Sequence, residues 1–383
     1  MLDLGLSQSG RGHGEHPMLR SNVEKRPFNS FPLWRNNGTR PLFAIDLEIT
    51  ARCNNECAHC YINLDRHDTV AEQKELTFEQ IKRIADEALS LGTLWVLITG
   101  GEPLLRKDFE DIYLFLKRRG FLVSVFTNAT LISDKLIRLF QAYPPRNLEV
   151  TVYGVSRDVY EAVTRKKGSF RQFQRGLGLL LDHKIKTTLK TTVTRSNRKE
   201  LPHIMRFCKE NSQSVFRFDP YLQLRFDGND QRNKEIREER LIPEEIERLE
   251  KMEPHRLDSI KKACAEKKEA LSLGEPGRLF HCGIGLNDCA ISHDGWFRLC
   301  PSLVHPDLIY RLTEGSLTEA WRTFTPKVIS EIGAMHGCDA PCLSCDLKNL
   351  CLWCPAHAFL ETGSLNGKVP YFCKTATLRE TLF

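Results

Sequence analysis

Three cysteines early in the chain form the most chemically specific pattern in the sequence. Cys53, Cys57 and Cys60 stand in a C-x3-C-x2-C array directly after an apolar run. Cysteine thiolates select zinc or iron–sulfur clusters, and a closed zinc site takes four protein ligands. His59 could supply a fourth ligand, but it lies between two of the cysteines in a tight loop. The array is better explained by a cluster in which one iron stays open to a ligand from outside the protein.

A second group of cysteines lies near the carboxyl end. Nine of the fourteen cysteines fall in residues 277–383, and four of them occupy the thirteen residues of "CLSCDLKNLCLWC". A zinc ribbon needs about 15–20 residues between its two C-x2-C pairs, whereas five separate the pairs here. The run, with the proline after Cys354, is closer to ferredoxin spacing, in which neighbouring cysteines can bind different clusters. This region is therefore expected to hold iron–sulfur clusters.

Two short polar motifs and one strand residue follow the cysteine array. "GGEP", Gly100 to Pro103, comes after the second β-type run; its glycines let the backbone approach a ligand, and Glu102 supplies a carboxylate acceptor. Asn128 in "TNAT" follows the third run, and Thr151 lies in "VTVYG". Each also has a plain structural explanation, as a turn or as a β-branched strand residue.

The array, followed by the aromatic residue Tyr61, resembles the signature of radical S-adenosylmethionine (radical SAM) enzymes. In that family three cysteines bind a 4Fe–4S cluster, and the amino and carboxylate groups of S-adenosylmethionine chelate its open iron. The resemblance covers Leu42 to about Phe218. It implies roles for a set of residues in binding this cofactor: Gly100, Gly101, Glu102 and Pro103 at the methionyl ammonium, Thr151 at the ribose, and Asn128 and Tyr61 nearby.

The carboxy-terminal cysteines resemble the SPASM extension of these enzymes, including Gly295 five residues before Cys300. The resemblance implies two auxiliary 4Fe–4S clusters, and thus three clusters in all. Its ligand sets are Cys282, Cys289, Cys300 and Cys354 for one, and Cys342, Cys345, Cys351 and Cys373 for the other. The sequence departs from the family where Cys351 and Cys354 form C-x2-C instead of C-x3-C. Cys338 is an additional thiol that could substitute as a ligand.

The elements that must position these residues alternate between strand and helix. From Leu42 there are six short β-type runs, "LFAIDLEIT", "LWVLIT", "FLVSVFT", "LEVTVYG", "KTTLKTTVT" and "SVFRFD", separated by amphipathic helical segments. This alternation predicts parallel strands, either in a doubly wound sheet or in an incomplete barrel, with the chemistry at their carboxyl ends. The resemblance implies an α/β fold: a partial (β/α)6 TIM-like barrel followed by a small, loop-rich iron–sulfur (SPASM) domain.

Four regions are predicted along the chain: an irregular arm (1–41), the radical SAM core (42–227), a charged and solvated helical bridge (228–276) and the auxiliary-cluster domain (277–383). The net charge of +6 is spread among interleaved charges of both signs, so no nucleic-acid partner is expected. No run of 18 apolar residues and no signal-peptide core occur, so no membrane association is expected and the protein should be cytoplasmic.

The resemblance implies a 5′-deoxyadenosyl radical that abstracts a hydrogen atom, and auxiliary clusters favour a net two-electron oxidation. Asp219, at the end of the sixth run, is the candidate base by position, although Asp before Pro also initiates turns. Cys208, Cys264 or Cys338 could instead return a hydrogen atom, which would make the protein an epimerase. Cys208 and Cys264 are otherwise expected to be buried apolar residues. A non-enzymatic electron carrier is the remaining alternative.

The expected substrate is a peptide or protein side chain, with a small molecule such as a sugar or a tetrapyrrole as the alternative. About 40 irregular residues precede the first strand, too few for the winged-helix module with which many relatives hold a leader peptide. A separate adaptor protein, or the cleft between the two domains beside Asn229 to Lys268, would then hold the peptide. An electron donor such as flavodoxin or ferredoxin is an expected partner.

Overall fold

Strands occur in both halves of the chain. The computed structural model describes residues 40–381 except 213, 215, 253, 274–278, 281, 333–341 and 343; Cys338 and nearly all of the predicted arm therefore lie outside the described residues. The strands are β1 (Ala44–Thr50), β2 (Arg52–Cys53), β3 (Leu64–Asp65), β4 (Trp95–Gly100), β5 (Leu122–Thr127), β6 (Asn147–Thr151), β7 (Thr187–Thr192), β8 (Arg217–Asp219), β9 (Asp288–Ile291), β10 (Trp296–Arg298) and β11 (Ile309–Arg311).

Helices cover the sheet and connect its strands. The α-helices are α1 (Thr69–Lys74), α2 (Phe78–Leu91), α3 (Phe109–Arg118), α4 (Asp134–Ala142), α5 (Arg157–Thr164), α6 (Ser169–Asp182), α7 (Leu201–Asn211), α8 (Asp230–Glu239), α9 (Pro243–Met252), α10 (Pro254–Leu273), α11 (Leu317–Glu319), α12 (Thr325–Lys327), α13 (Pro355–Thr362) and α14 (Pro370–Glu380). Short 3-10 turns occupy Pro103–Leu105, Arg198–Glu200 and Pro306–Leu308, and wider π-type turns occupy Ala320–Phe324 and Val328–Ile332.

The six predicted β-type runs are confirmed as six parallel strands. They are adjacent in chain order, β1-β4-β5-β6-β7-β8, and each pairs in parallel with the next. A doubly wound sheet would reverse its strand order at a switch point. The unreversed order is that of a partial barrel, so the implied (β/α)6 architecture is confirmed.

Local sequence signals account for the helices that cover the outer face. In α2, Thr77 and Gln80 form a capping box, and Gly92 ends the helix in the left-handed conformation at φ 100°. Its apolar residues recur at helical spacing and are buried: Ile81, Ile84, Ala85, Ala88 and Leu91. Because the facing residues of β1 are also apolar and buried, the helix packs on the sheet through one continuous core.

The sheet continues beyond the core into the carboxy-terminal region. β9 pairs in parallel with β1, and β10 and β11 extend the sheet in antiparallel fashion. These strands were missed in the sequence because each has only three or four residues and lies among cysteine-rich loops. The predicted auxiliary-cluster domain thus shares a sheet with the core.

The predicted charged bridge is helical, but it is not merely a solvated connection. Asn233 and Ile236 of α8 are buried, and Glu250 of α9 is fully buried against Arg379 of α14. The bridge therefore ties the core to the last helix of the chain. Among the described residues, no helix is both long and apolar enough to cross a membrane.

Candidate active site

The carboxyl ends of the parallel strands surround one cavity of about 550 Å³. Most of the predicted cofactor-site residues line it: Cys53, Cys57, Cys60, Tyr61, Gly100, Gly101, Asn128, Thr151 and Asp219. Two predicted residues, Glu102 and Pro103, are buried and do not line it. The structure thus brings five separate stretches of the sequence together, as expected for loops that follow neighbouring parallel strands.

A short strand pair and backbone hydrogen bonds fix the shape of the three-cysteine loop. β2 and β3 pair in parallel on either side of it, with Cys53 opposite Asp65. Within the loop the amide of Cys60 donates to the carbonyl of Cys57 at 3.2 Å, a tight turn that brings these two residues together. The amide of Glu56 also donates to the carbonyl of Thr164 at 2.9 Å.

Two arginines from outside the barrel strands hold the outer side of this loop. Arg232 of α8 donates to the carbonyl of Cys57 at 2.9 Å. Arg225 is almost fully buried and donates to the carbonyls of Cys60 at 3.3 Å and Asn63 at 3.1 Å. Sequence reasoning missed both residues, because nothing in their local pattern connects them to a loop more than 160 residues away.

The thiols of this loop are held in their neutral form when no metal is bound. Burial raises the pKa of Cys53 and of Cys57, and each is raised further by a neighbouring cysteine, Cys57 and Cys60 respectively. Tyr153 hydrogen-bonds to the Cys57 thiol, and the side-chain amide of Asn128 lies 3.8 Å from the Cys53 sulfur. Buried thiols of raised pKa stay protonated until a metal displaces their protons.

The two glycines of "GGEP" have a structural requirement of their own. The amide of Gly101 donates to the carbonyl of Thr50 at 2.7 Å. A Cβ at Gly100 would lie 2.1 Å from the Thr50 oxygen, and one at Gly101 would lie 2.3 Å from the Arg52 oxygen. Gly100 also has φ +129°, which side-chain-bearing residues rarely adopt. Glycine is required so that this loop can pack against the end of β1, and both glycines still face the cavity.

Glu102 is a fully buried carboxylate with three donors. It accepts from the Leu104 amide at 3.1 Å, the Thr127 hydroxyl at 2.8 Å and the Asn128 amide at 2.7 Å. Burial raises the pKa of Glu102 to about 7, and these hydrogen bonds act in the opposite direction. Among the described residues no cation is found in an ion pair with it. A ligand ammonium beside it would compensate this buried charge, so the residue fits the predicted role.

The remaining predicted residues take distinct positions around the cavity. Tyr61 packs its ring against Phe226 at 4.8 Å, and Thr151 pairs with Lys190 of the next strand. The ring of His59 lies 5.1 Å from that of Tyr153, and burial lowers its pKa to about 4. His59 is thus held neutral in the cavity wall.

Asp219 lies where β8 ends and lines the same cavity as the cysteine loop. Its side chain is exposed to the cavity and accepts from the amide of Tyr221 at 2.9 Å. Burial by the surrounding protein raises its pKa, whereas that amide, Arg256 and His357 lower it. The aspartate is therefore both a turn residue and a group that faces the cavity.

The carboxy-terminal region forms the wall beside Asp219, and sequence reasoning missed these residues. His357 and Glu361 lie one turn apart on α13, directly after Cys354, and both line the cavity. Glu361 is paired with Arg240 at the end of α8. The sequence does carry a signal for them. In "HAFLE", His357 and Glu361 are polar residues four positions apart, on one face of a helix that follows a cysteine motif.

A second cavity, of about 730 Å³, collects the carboxy-terminal cysteines. It is lined by Cys282, Cys342, Cys345, Cys351, Cys354 and Cys373. Burial raises the pKa of Cys342, and its predicted partners Cys345, Cys351 and Cys373 raise it further. Burial also raises the pKa of Cys300, and Cys354 and Cys282 raise it further. Cys342 is thus coupled to Cys345, Cys351 and Cys373, and Cys300 to Cys282 and Cys354. Among the described residues, no three side chains converge closely enough to bind a single metal ion.

Cys289 is not brought to either group. It lies within β9, opposite Ile45 of β1, with 3% of its surface exposed. Burial raises the pKa of Cys289 most, and the charges of Asp46 and Asp288 raise it further. Cys289 does not line the second cavity. The leftover cysteines Cys208 and Cys264 are buried as expected, and neither lines either cavity.

Comparisons with known proteins agree with this geometry. Residues 47–208 match the family model described as the Radical SAM superfamily. AdoMet-dependent heme synthase from Methanosarcina barkeri is 25% identical over 344 residues, which cover 85% of this chain and 94% of that protein. The antilisterial bacteriocin subtilosin biosynthesis protein AlbA from Bacillus subtilis is 26% identical over 71% of this chain and 56% of its own length.

The fold is also similar to that of SuiB from Streptococcus suis. The structure of SuiB bound to S-adenosylmethionine has a TM-score of 0.60 and 14% identity, and covers 86% of this chain and 74% of SuiB. SuiB bound to its precursor peptide SuiA has a TM-score of 0.62, 15% identity, and coverage of 86% and 75%. The family expected from the sequence is confirmed, and with it a 4Fe–4S cluster and S-adenosylmethionine as cofactors. Residues 47–208 thus form a radical SAM domain, and the protein is an enzyme.

Proposed function

We propose that the protein oxidises a side chain of a peptide, with the loss of two hydrogens, and uses three 4Fe–4S clusters. One observation carries the proposal: a single cavity joins the three-cysteine loop to Asp219 and to the wall formed by His357 and Glu361. A substrate in this cavity lies between the cofactor motifs of the core and the cysteine-rich region. That position suits a reaction in which a hydrogen atom leaves on one side and an electron leaves on the other.

When bound, the cofactors supply a 5′-deoxyadenosyl radical that abstracts a hydrogen atom from an unactivated C–H bond. The residues of the chain have other tasks. Cys53, Cys57 and Cys60 hold the cluster, and Glu102 faces the methionyl ammonium. Thr151 lies at the ribose, and the loops around the cavity exclude water.

Asp219 is the proposed base. After a hydrogen atom has left the substrate, oxidation to a closed-shell product requires the loss of one proton and one electron. Asp219 faces the cavity and accepts the proton. Auxiliary clusters held by the cysteines of the second cavity would accept the electron, and Leu352 lines both cavities.

The auxiliary clusters are assigned by which cysteines raise one another's pKa. Cys342, Cys345, Cys351 and Cys373 hold one cluster, and they all line the second cavity. Cys282, Cys300 and Cys354 hold the other. We leave Cys289 out of this second set because its side chain is enclosed in the sheet.

The charges of the cavity favour a peptide over a tetrapyrrole with several carboxylates. The charged or titratable groups that line it, other than cysteines and tyrosines, are His59, Lys190, Asp219, His357 and Glu361. Lys190 is already paired with Glu149 at 2.8 Å. Carboxylates of a substrate would meet Asp219 and Glu361 without a free lysine or arginine among the described lining residues.

A tetrapyrrole remains the second candidate because of one specific observation. The alignment with the heme synthase from Methanosarcina barkeri covers 94% of that protein and 85% of this chain. AlbA and the SuiB complex with SuiA support the peptide reading instead, since their names connect them with a bacteriocin and a precursor peptide. The charge of the cavity decides our preference.

The proposal also includes partners. A reduced flavodoxin or ferredoxin in the cytoplasm donates the electron that starts each turnover. A separate adaptor protein can hold the far end of the peptide.

Co-expression with short open reading frames beside the gene, followed by peptide mass measurement, tests the proposed reaction. A loss of two hydrogens per modification supports it. Deuterium uptake from heavy water without another mass change indicates an epimerase. If no peptide changes, while a tetrapyrrole triggers 5′-deoxyadenosine release, the peptide assignment is wrong.

A further inference from the structure

One wall of the active-site cavity is formed by main chain. Tyr221, Leu222, Gln223 and Leu224 are four consecutive residues that all line it. They belong to a segment after β8 that contains neither helix nor turn. Side chains of neighbouring residues in an extended segment point to opposite sides. Four consecutive residues reach the cavity because the backbone itself faces it.

The hydrogen bonds of this segment end at its borders. The carbonyl of Phe218 accepts from Arg256 at 2.8 Å, and the carbonyl of Leu222 accepts from Arg240 at 3.0 Å. Within the described part of the chain, no partner is found for the amides of Leu222, Gln223 and Leu224 or for the carbonyls of Gln223 and Leu224. Buried backbone groups without partners are rare, because each costs free energy comparable to a lost hydrogen bond.

The segment directly follows the edge strand of the sheet. β8 is the last strand in the order of the sheet, and β7 is its neighbour on the other side. Open edges pair readily with another extended chain. The Tyr221 amide donates to the Asp219 side chain at 2.9 Å, and the Arg225 amide donates to the Asn233 side chain at 2.8 Å. Residues 222–224 form a short window between these two paired amides, and all three line the cavity.

We infer that residues 222–224 bind an extended stretch of the peptide substrate through main-chain hydrogen bonds. This inference rests on the proposed function and adds how the substrate is held. The occupant is a peptide main chain because a flat tetrapyrrole offers no row of alternating amide donors and carbonyl acceptors. The bound stretch presents one side chain towards the cysteine loop and Asp219.

Neighbouring residues support this arrangement. The side chain of Gln223 accepts from the Ser302 hydroxyl at 2.7 Å, which fixes the window to the segment after Cys300. The cavity also has an apolar wall, which includes Leu352 and Phe372. Recognition through the backbone tolerates many sequences, and this wall selects apolar neighbours of the modified residue.

Ester substitution in the substrate tests the inference without changing the protein. The probe is the peptide that loses two hydrogens on co-expression, synthesised with one amide at a time replaced by an ester. We expect Kd for the reconstituted enzyme to rise about three- to tenfold at alternate positions around the modified residue. A flat response, with the peptide still modified, would overturn the inference and leave the proposed function intact. If no peptide is modified, both fail.

Two variants at one position supply the matching change in the protein. Gln223→Pro removes the backbone N–H, whereas Gln223→Ala keeps it and removes the side chain. We expect the proline variant to lose at least about tenfold in peptide affinity and the alanine variant to lose much less. Iron content and thermal unfolding show whether each variant is folded. An equal loss in both variants means that the side chain binds the peptide and contradicts the inference.

Discussion

The backbone amide of Asn128 donates a 2.7 Å hydrogen bond to the buried carboxylate of Glu102. This bond joins the loop after β4 to the loop after β5. The Thr127 hydroxyl reinforces it at 2.8 Å. Two motifs that look independent in the sequence are therefore one unit, and the charge of Glu102 is available to a ligand only while both loops hold their shape.

Glu102→Gln tests the charge of that unit. The change keeps the shape of the side chain and removes the negative charge that we propose binds the methionyl ammonium, a charge-assisted bond worth about 1.5–3 kcal/mol. Affinity for S-adenosylmethionine, measured by calorimetry, is expected to fall roughly tenfold or more with normal iron content. Glu79→Gln, on the exposed face of α2, is the control. An unchanged Kd would mean that "GGEP" only shapes the loop.

The stability of the protein without S-adenosylmethionine should depend on pH through Glu102. Its folded-state pKa of about 7 exceeds the ordinary value of 4.5. Between these values the folded state holds more protons than the unfolded state, so stability falls as pH rises. Relative to Glu102→Gln, the free energy of unfolding should drop by up to about 3 kcal/mol from about pH 4 to about pH 8. Urea unfolding of both proteins across this range measures the difference; parallel curves would contradict it.

Arg225 is expected to be necessary for the first cluster. Arg225→Lys keeps the charge but loses the planar group that donates to Cys60 and Asn63 and pairs with Asp227. We expect a loss of about 2–3 kcal/mol in stability and reduced iron in the three-cysteine site, measured by denaturation and by electron paramagnetic resonance. Arg248→Lys, at an exposed site on α9, should change neither quantity. Normal iron content in the Arg225 variant would show that the loop holds its shape alone.

Asp219→Asn separates hydrogen abstraction from the loss of a proton. The variant should still form 5′-deoxyadenosine with the peptide but yield oxidised product about 10²-fold more slowly or worse. Because burial raises the pKa of Asp219, the rate in the unmodified enzyme should fall with acidification at a higher pH than for an ordinary aspartate. Asp158→Asn, on an exposed helix, is the control. Equal product rates would remove Asp219 from the reaction.

Cys289 and Cys300 form a matched pair for the auxiliary clusters. Cys289→Ala should keep nearly all of the iron, because the thiol is enclosed between strands. Cys300→Ala should lose up to about four irons, since Cys300 lies with Cys282 and Cys354. Iron analysis after anaerobic reconstitution measures both. Equal iron loss would restore Cys289 as a ligand.

Much of the core could be predicted from the sequence because its signals are local. Alternating apolar runs and amphipathic helices fix the parallel strands, and Cys53, Cys57 and Cys60 lie within one loop. The remaining features depend on contacts between distant residues. Arg225 reaches Asn63 and Cys60 only once the barrel is folded, and spacing alone could not reveal that Cys289 is in a strand beside Ile45. His357 reaches the site only because the fold brings α13 to the same cavity as the end of β8.

The measurement that tests the central claim most directly is iron content together with 5′-deoxyadenosine release for one variant. Anaerobically reconstituted protein should hold about twelve irons, as three 4Fe–4S clusters, and should cleave S-adenosylmethionine when reduced with dithionite. The triple variant with alanine at Cys53, Cys57 and Cys60 should hold about eight irons and release no 5′-deoxyadenosine. Stoichiometric zinc in place of iron, or undiminished 5′-deoxyadenosine release by the triple variant, would contradict the account.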